Sequence, residues 1–113
     1  MDFVTFDFET GMQARDSAIS IGLVKFSKGK KIATYYSLIK PPKMYIRPEF
    51  TEIHGITVDD VKNAPSFSEI WPAIRTFIGD NPLAAHNASF DKSVLISTLE
   101  TNGIGKPRGL RYC

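Results

Sequence analysis

Apolar residues crowd the start of the chain. Residues 2–9 are rich in Phe, Val and Thr, the composition of a strand. Val4, Phe6 and Phe8 fall on one face of it, Phe3 and Thr5 on the other. Apolar residues on both faces predict a central strand covered on both sides. Residues 18–26 and 32–39 read as two further strands. Ser27-Lys28-Gly29-Lys30 joins them as a polar, glycine-containing turn, so a hairpin is expected. Lys40-Pro41-Pro42-Lys43 breaks regular structure. Thr57-Val58-Asp59-Asp60 has a cap residue and first-turn acids, the start of a short helix. Ser66-Phe67-Ser68-Glu69 has the form of a capping box. After it, Phe67, Ile70, Trp71, Ile74, Phe77 and Ile78 keep helical spacing up to Gly79. Pro72 lies within that pattern and is expected to kink the helix or delay its regular start. Residues 83–86 read as a short buried strand. Asn87 is placed to cap a helix over 88–102, with Phe90, Val94, Leu95 and Leu99 inward and Gly103 at its end. Strands first and βα alternation later indicate an α/β domain with a mixed sheet. The alternation predicts one more strand at Tyr112-Cys113.

A chain of 113 residues, 42% of them hydrophobic and 23% charged, is one domain with enough apolar mass to fold. Its single cysteine excludes a disulfide scaffold. No apolar run approaches the roughly 20 residues that span a bilayer, so no membrane role is expected. The acidic N-terminus lacks the basic flank of an export signal, and the expected compartment is the cytoplasm. The net charge of +2 says little, but its layout is uneven. Ser17 to Pro48 holds seven bases (Lys25, Lys28, Lys30, Lys31, Lys40, Lys43 and Arg47) and no acid. Lys106, Arg108 and Arg111 form a second basic group. Both groups would attract phosphates, although solvated faces explain charge runs as readily.

Three segments bear on chemistry. Phe6-Asp7-Phe8-Glu9-Thr10 sets two acids two residues apart on an apolar strand, hence on one face and roughly 6.5–7 Å apart. Carboxylates so placed repel, and a divalent cation relieves the repulsion; oxygen donors suit Mg²⁺ or Mn²⁺. The plainer alternative puts both acids past the strand end, in water. Ala85-His86-Asn87-Ala88-Ser89-Phe90-Asp91 runs from a strand end into a first helical turn, which brings Asp91 to the strand ends where α/β sheets hold ligands. An Asp merely favouring a helix N-terminus is the alternative there. In Glu52-Ile53-His54-Gly55-Ile56-Thr57, His54 is either a loop histidine satisfied by backbone or a pocket wall.

Taken together and in this order, FDFET, IHGIT and HNASFD resemble the motifs of the DnaQ-like 3′–5′ exonucleases, the DEDD family with a histidine general base, across essentially the whole chain. The resemblance implies an RNase H-like mixed sheet flanked by helices and similarity to the proofreading epsilon subunit of DNA polymerase III. It implies two-metal hydrolysis of the terminal phosphodiester of DNA or RNA, with two Mg²⁺ or Mn²⁺ ions in the complete domain. Asp7, Glu9 and Asp91 would be the catalytic and metal-binding acids. Thr10 and Gly11 would approach the 3′-terminal nucleotide, and Ile53 and His54 would help line its base pocket. The partners implied are a single-stranded 3′ end and either a polymerase or a second copy of the chain. The family's third motif, a histidine followed five residues later by a fourth carboxylate, is not met before Cys113. Residues 1–113 are therefore expected to form one incomplete exonuclease domain with its C-terminal part missing, weak or inactive alone, with apolar sheet surface left uncovered. Two alternatives stand beside this: a non-catalytic nucleic-acid- or protein-binding module on the same fold, and a phosphatase with Asp7 as nucleophile. The phosphatase leaves HNASFD unexplained.

Overall fold

The computed structural model describes residues 2–112. A four-stranded sheet forms from β1 (Phe3–Thr10), β2 (Ala18–Ser27), β3 (Lys30–Leu38) and β4 (Leu83–Ala84), in the spatial order β3-β2-β1-β4. β1 pairs antiparallel with β2 and parallel with β4, so the sheet is mixed. The hairpin between β2 and β3 turns on Lys28 and Gly29 alone, with φ of 53° and 77°. Two positive φ values in a two-residue loop match the twist of the strands it joins.

Four helices follow β3 in chain order around β4: α1 (Pro48–His54), α2 (Val58–Val61), α3 (Phe67–Ile78) and α4 (Ala88–Thr101). α3 and α4 pack on one face of the sheet, where Val4, Phe6, Phe8, Ile21 and Leu23 meet Phe67, Ile74, Val94 and Leu95 in the main core. A smaller core of Ile19, Ile46, Ile56 and Val61 ties α1, α2 and the loop before them to the start of β2 and the end of β3.

The α3 start has the expected capping box: the Ser66 N–H donates to Glu69 (3.0 Å) and the Glu69 N–H donates to Ser66 Oγ (3.3 Å). Several expectations need correction. β1 is central by hydrogen bonding but is covered on one face only. Val4, Phe6 and Phe8 are buried, while Phe3, Thr5 and Glu9 are half-buried and Asp7 is exposed. α3 does not start late: it begins at Phe67, directly after its cap, and runs on through Pro72. The only backbone bond lost there lies near the N-terminal end, and the buried stripe of Phe67, Ile70, Ile74 and Ile78 continues across it. β4 is two residues long rather than four, with His86 exposed beyond it. Asn87 stands at the N-cap position of α4 but makes no cap hydrogen bond. Phe90 is half-buried under the Arg15 guanidinium, 4.8 Å from its ring centroid.

α1 was not predicted. Pro48 at its first turn, Glu49 behind it and left-handed Gly55 at its end are all signals of a helix. At the far end, Tyr112 bridges Leu83 in parallel and the Leu83 N–H donates to Arg111 C=O (2.7 Å), where the extra strand was expected. Cys113 lies outside the described residues.

Candidate active site

The two acids of the first segment stand inside β1, so they are not beyond the strand end. They alternate with Phe6 and Phe8, which hold the core, and so project on the opposite, open face. In register, Asp7 faces Gly22 and Glu9 faces Ser20 on β2.

Asp91 reaches the same stretch of β1 from the other edge. The Val4 N–H donates to Pro82 C=O (2.9 Å), which shows that the even-numbered N–H groups of β1 point toward β4. β4 stops at Ala84, opposite Thr5. The ladder thus runs out before Phe8, and the Asp91 carboxylate takes its place: Phe8 N–H donates to Asp91 Oδ1 at 3.0 Å. A short strand and a first-turn aspartate together satisfy a buried donor that would otherwise be costly to leave unpaired. Asp91 is only 3% exposed, and it contacts the one residue that separates Asp7 from Glu9.

The electrostatics follow from this crowding. Burial raises the Asp91 carboxyl above its ordinary value, the Phe8 N–H opposes that rise, and the Asp7 charge adds to it. Burial also raises Glu9, and Asp7 pushes it further; His54 pulls it down and Asp91 adds a last increment. Three acids therefore feel one another across the end of β1. Neither ion pair among the described residues, Arg47–Glu49 or Lys62–Asp59, supplies a cation to them.

Oxygen donors of this kind suit a hard divalent ion. Among the described residues, however, no three His, Cys, Asp or Glu side chains gather closely enough to hold a metal by themselves. The arrangement is an open half-shell. It fits an ion such as Mg²⁺, which keeps several waters and takes one or two carboxylates plus substrate oxygens.

His54 ends α1 and is half-buried against this site. The Ile56 N–H donates to its Nδ1 (3.0 Å), so the ring proton sits on Nε2 and donates to Thr10 C=O at 3.1 Å. His54 is thus satisfied by backbone, as the plainer of its two readings has it. It pins the end of β1 next to Glu9. Ile53 beside it is 83% exposed. Thr10 is buried, and the Gly11 N–H and C=O are engaged by Ser17 C=O and Arg47 N–H, both at 2.8 Å. A Cβ on Gly11 would lie 3.0 Å from Tyr45 C=O, so glycine is what allows this loop to close.

Of the basic groups, Lys28, Lys30 and Lys31 are exposed at the hairpin, as a solvated turn predicts. Lys25 instead lies over the Phe77 ring, 4.6 Å from its centroid. No helix among the described residues is long and apolar enough to cross a membrane.

The family model for exonucleases, RNase_T, matches residues 4–107. The DNA polymerase III epsilon subunit of Treponema pallidum is 40% identical over 99 residues, covering 86% of this chain and 46% of that protein. A PolC-type DNA polymerase III of Thermotoga maritima is 41% identical over 91 residues, covering 79% of this chain and 7% of that protein. The chain thus spans under half of the epsilon relative and a small fraction of the PolC-type one. Exonuclease X in complex with 5′ overhanging duplex DNA superposes with a TM-score of 0.71 at 29% identity, over 81% of this chain and 52% of that one. The nuclease domain of 3′hExo, a DEDDh family member bound to rAMP, superposes at 0.82 with 14% identity, over 96% and 62%, and speaks for the fold alone. The chain belongs to the RNase_T exonuclease family, in the DnaQ-like group that its FDFET, IHGIT and HNASFD segments resemble, and its mixed sheet with flanking helices is RNase H-like.

Proposed function

We propose that this domain removes nucleotides from the 3′ end of single-stranded DNA or RNA, using Mg²⁺ or Mn²⁺ held by Asp7, Glu9 and Asp91. The observation that carries this reading is the Asp91–Phe8 hydrogen bond, which holds a buried carboxylate against the residue that separates Asp7 from Glu9. When bound, two divalent cations would activate water and stabilise the leaving oxygen of the phosphodiester.

The chain's own residues have separable tasks. Asp7, the most exposed of the three acids, would hold metal from the open face of β1. Glu9, half-buried beside Asp7 on the same face of β1, would bind one ion and lie near the attacking water. Asp91 contributes Oδ2, since Oδ1 is committed to Phe8. Ile53 offers exposed apolar surface to a terminal base, and His54 holds the adjoining wall. Thr10 and Gly11 have backbone groups engaged elsewhere, so their contact with the terminal nucleotide is by shape rather than hydrogen bonding. Both His54 ring nitrogens are also engaged, so His54 is not a free general base, and the 113-residue chain alone is expected to turn over slowly. The polymerase III relatives support a polymerase as partner of the whole protein.

A 5′-labelled oligonucleotide incubated with excess chain and Mg²⁺ or Mn²⁺ tests the reading. Stepwise shortening that EDTA and Asp7→Ala abolish is the expected result. Shortening that persists in Asp7→Ala or in EDTA contradicts it. Binding that Asp7→Ala leaves unchanged, with no shortening under Mg²⁺ or Mn²⁺, would mark a non-catalytic module instead.

A further inference from the structure

The open face of the sheet carries a row of residues that the carboxylate site does not use. Register sets Tyr36 of β3 opposite Gly22 of β2, and Gly22 opposite Asp7 of β1. Residues directly opposite share a face, so the three form one line across the sheet. Adjacent strands lie about 4.8 Å apart, which puts Tyr36 roughly 10 Å from Asp7 along that line.

Gly22 is the telling member. A glycine inside a central strand weakens it and marks a place where another group approaches the backbone closely. Here the Tyr36 ring leans toward it: a Cβ on Gly22 would lie 3.9 Å from Tyr36 Cδ1. The ring nevertheless stays 64% exposed. Bare backbone thus lies between an exposed aromatic ring and the exposed carboxylate of Asp7. The rows beyond are Thr5, Val24 and Thr34, then Phe3 stacked on Phe26 at 5.1 Å, with no acid among them. At the other end, His54 is hydrogen-bonded to Thr10 C=O at the end of β1. The hairpin end of the same strands exposes Lys28, Lys30 and Lys31. An exposed ring on strands that carry no acid, with cations at their hairpin end, complements a polyanion whose bases have π faces.

We propose that Tyr36 is a stacking platform for a base of single-stranded nucleic acid, one belonging to a nucleotide next to the one whose phosphodiester meets Asp7 and Glu9. The site rests on the exonuclease reading for its direction along the strand, but its binding does not depend on hydrolysis. It is indifferent to base identity, because stacking on a ring reads no hydrogen-bond pattern.

Anisotropy of a 5′-labelled oligothymidylate, titrated with the whole chain in EDTA at low salt, tests the proposal. Tyr36→Ala should weaken binding about tenfold, the size of one lost base stack, while Tyr36→Phe stays within about twofold of the parent. Ile96→Ala, an exposed apolar change on α4, should leave binding unchanged. Tyr36 ring protons should move upfield when the oligonucleotide is added. Equal affinity for the Ala and Phe variants, or no binding by the parent chain, overturns the platform. EDTA removes all metal chemistry, so failure here leaves the Asp7 hydrolysis test standing, and failure of that test leaves this one standing.

Discussion

Helices α3 and α4 pack side by side on the same face of the sheet, yet they follow local rules very differently. α3 has a reciprocal capping box, a continuous buried stripe and a glycine stop whose N–H returns to Arg75 C=O at 3.1 Å. Each level of its sequence points to the same structure. α4 lacks a cap hydrogen bond, buries an aspartate in its first turn, and leaves the Thr98 hydroxyl buried without a partner. Violations of local consistency collect where a protein has something other than stability to satisfy. α3 is scaffold, and α4 carries Asp91 to β1.

The contrast can be broken most strongly at the acids. Asp7→Ala and Asp91→Asn should each lower the metal-supported nuclease rate by roughly a hundredfold or more, since even groups that merely orient a metal ligand are worth about 10- to 100-fold. Rates from initial velocities on a labelled oligonucleotide check this.

On the scaffold side the largest effect is on folding. Phe67→Ala removes a buried ring that packs on Phe8 and Trp71 at 6.3 and 5.7 Å, and should cost about 3–5 kcal/mol in denaturant unfolding.

The sign reverses for Asp91→Asn. An amide oxygen can still accept the Phe8 N–H, while the buried charge disappears. The folded Asp91 carboxyl is raised above its unfolded value, so its stabilising contribution is full when the group is protonated and is lost as pH rises through the folded value. Asp91→Asn should therefore match the parent in acid and melt a few degrees higher than it at neutral pH. A melting-temperature gap that fails to widen with pH removes the repulsion from the account. Divalent ions should narrow the same gap by stabilising the parent alone.

The smallest test compares the caps. Ser66→Ala should cost about 1 kcal/mol, and Asn87→Ala only a few tenths, because no hydrogen bond is there to lose.

Much of the scaffold was legible because its signals are local. The Lys28-Gly29 turn, the Ser66–Glu69 box and the Gly103 stop each lie within a few residues of the structure they dictate. α1 escaped because it buries no residue fully and so leaves no apolar stripe, although Pro48 and Gly55 bracket it. Apolar identity does not report coverage, and Phe3 and Thr5 on the second face of β1 are only half-buried. For the site, the shared face of Asp7 and Glu9 followed from strand period alone. The bond from Phe8 to Asp91, 83 residues apart, did not, since it depends on β4 stopping after two residues. The line from Asp7 through Gly22 to Tyr36 depends on two strand registers that no single segment encodes.

Carboxyl-carbon NMR titration of Glu9 and Asp91, with and without Mg²⁺, bears most directly on the claim that these acids crowd one another for want of a cation. Without the ion, both should titrate above the ordinary values for Glu and Asp. Saturating Mg²⁺ should move both downward together, and Asp7→Asn should reduce the shift of each. Ordinary values in the metal-free chain, or titrations that Mg²⁺ leaves unmoved, would contradict it.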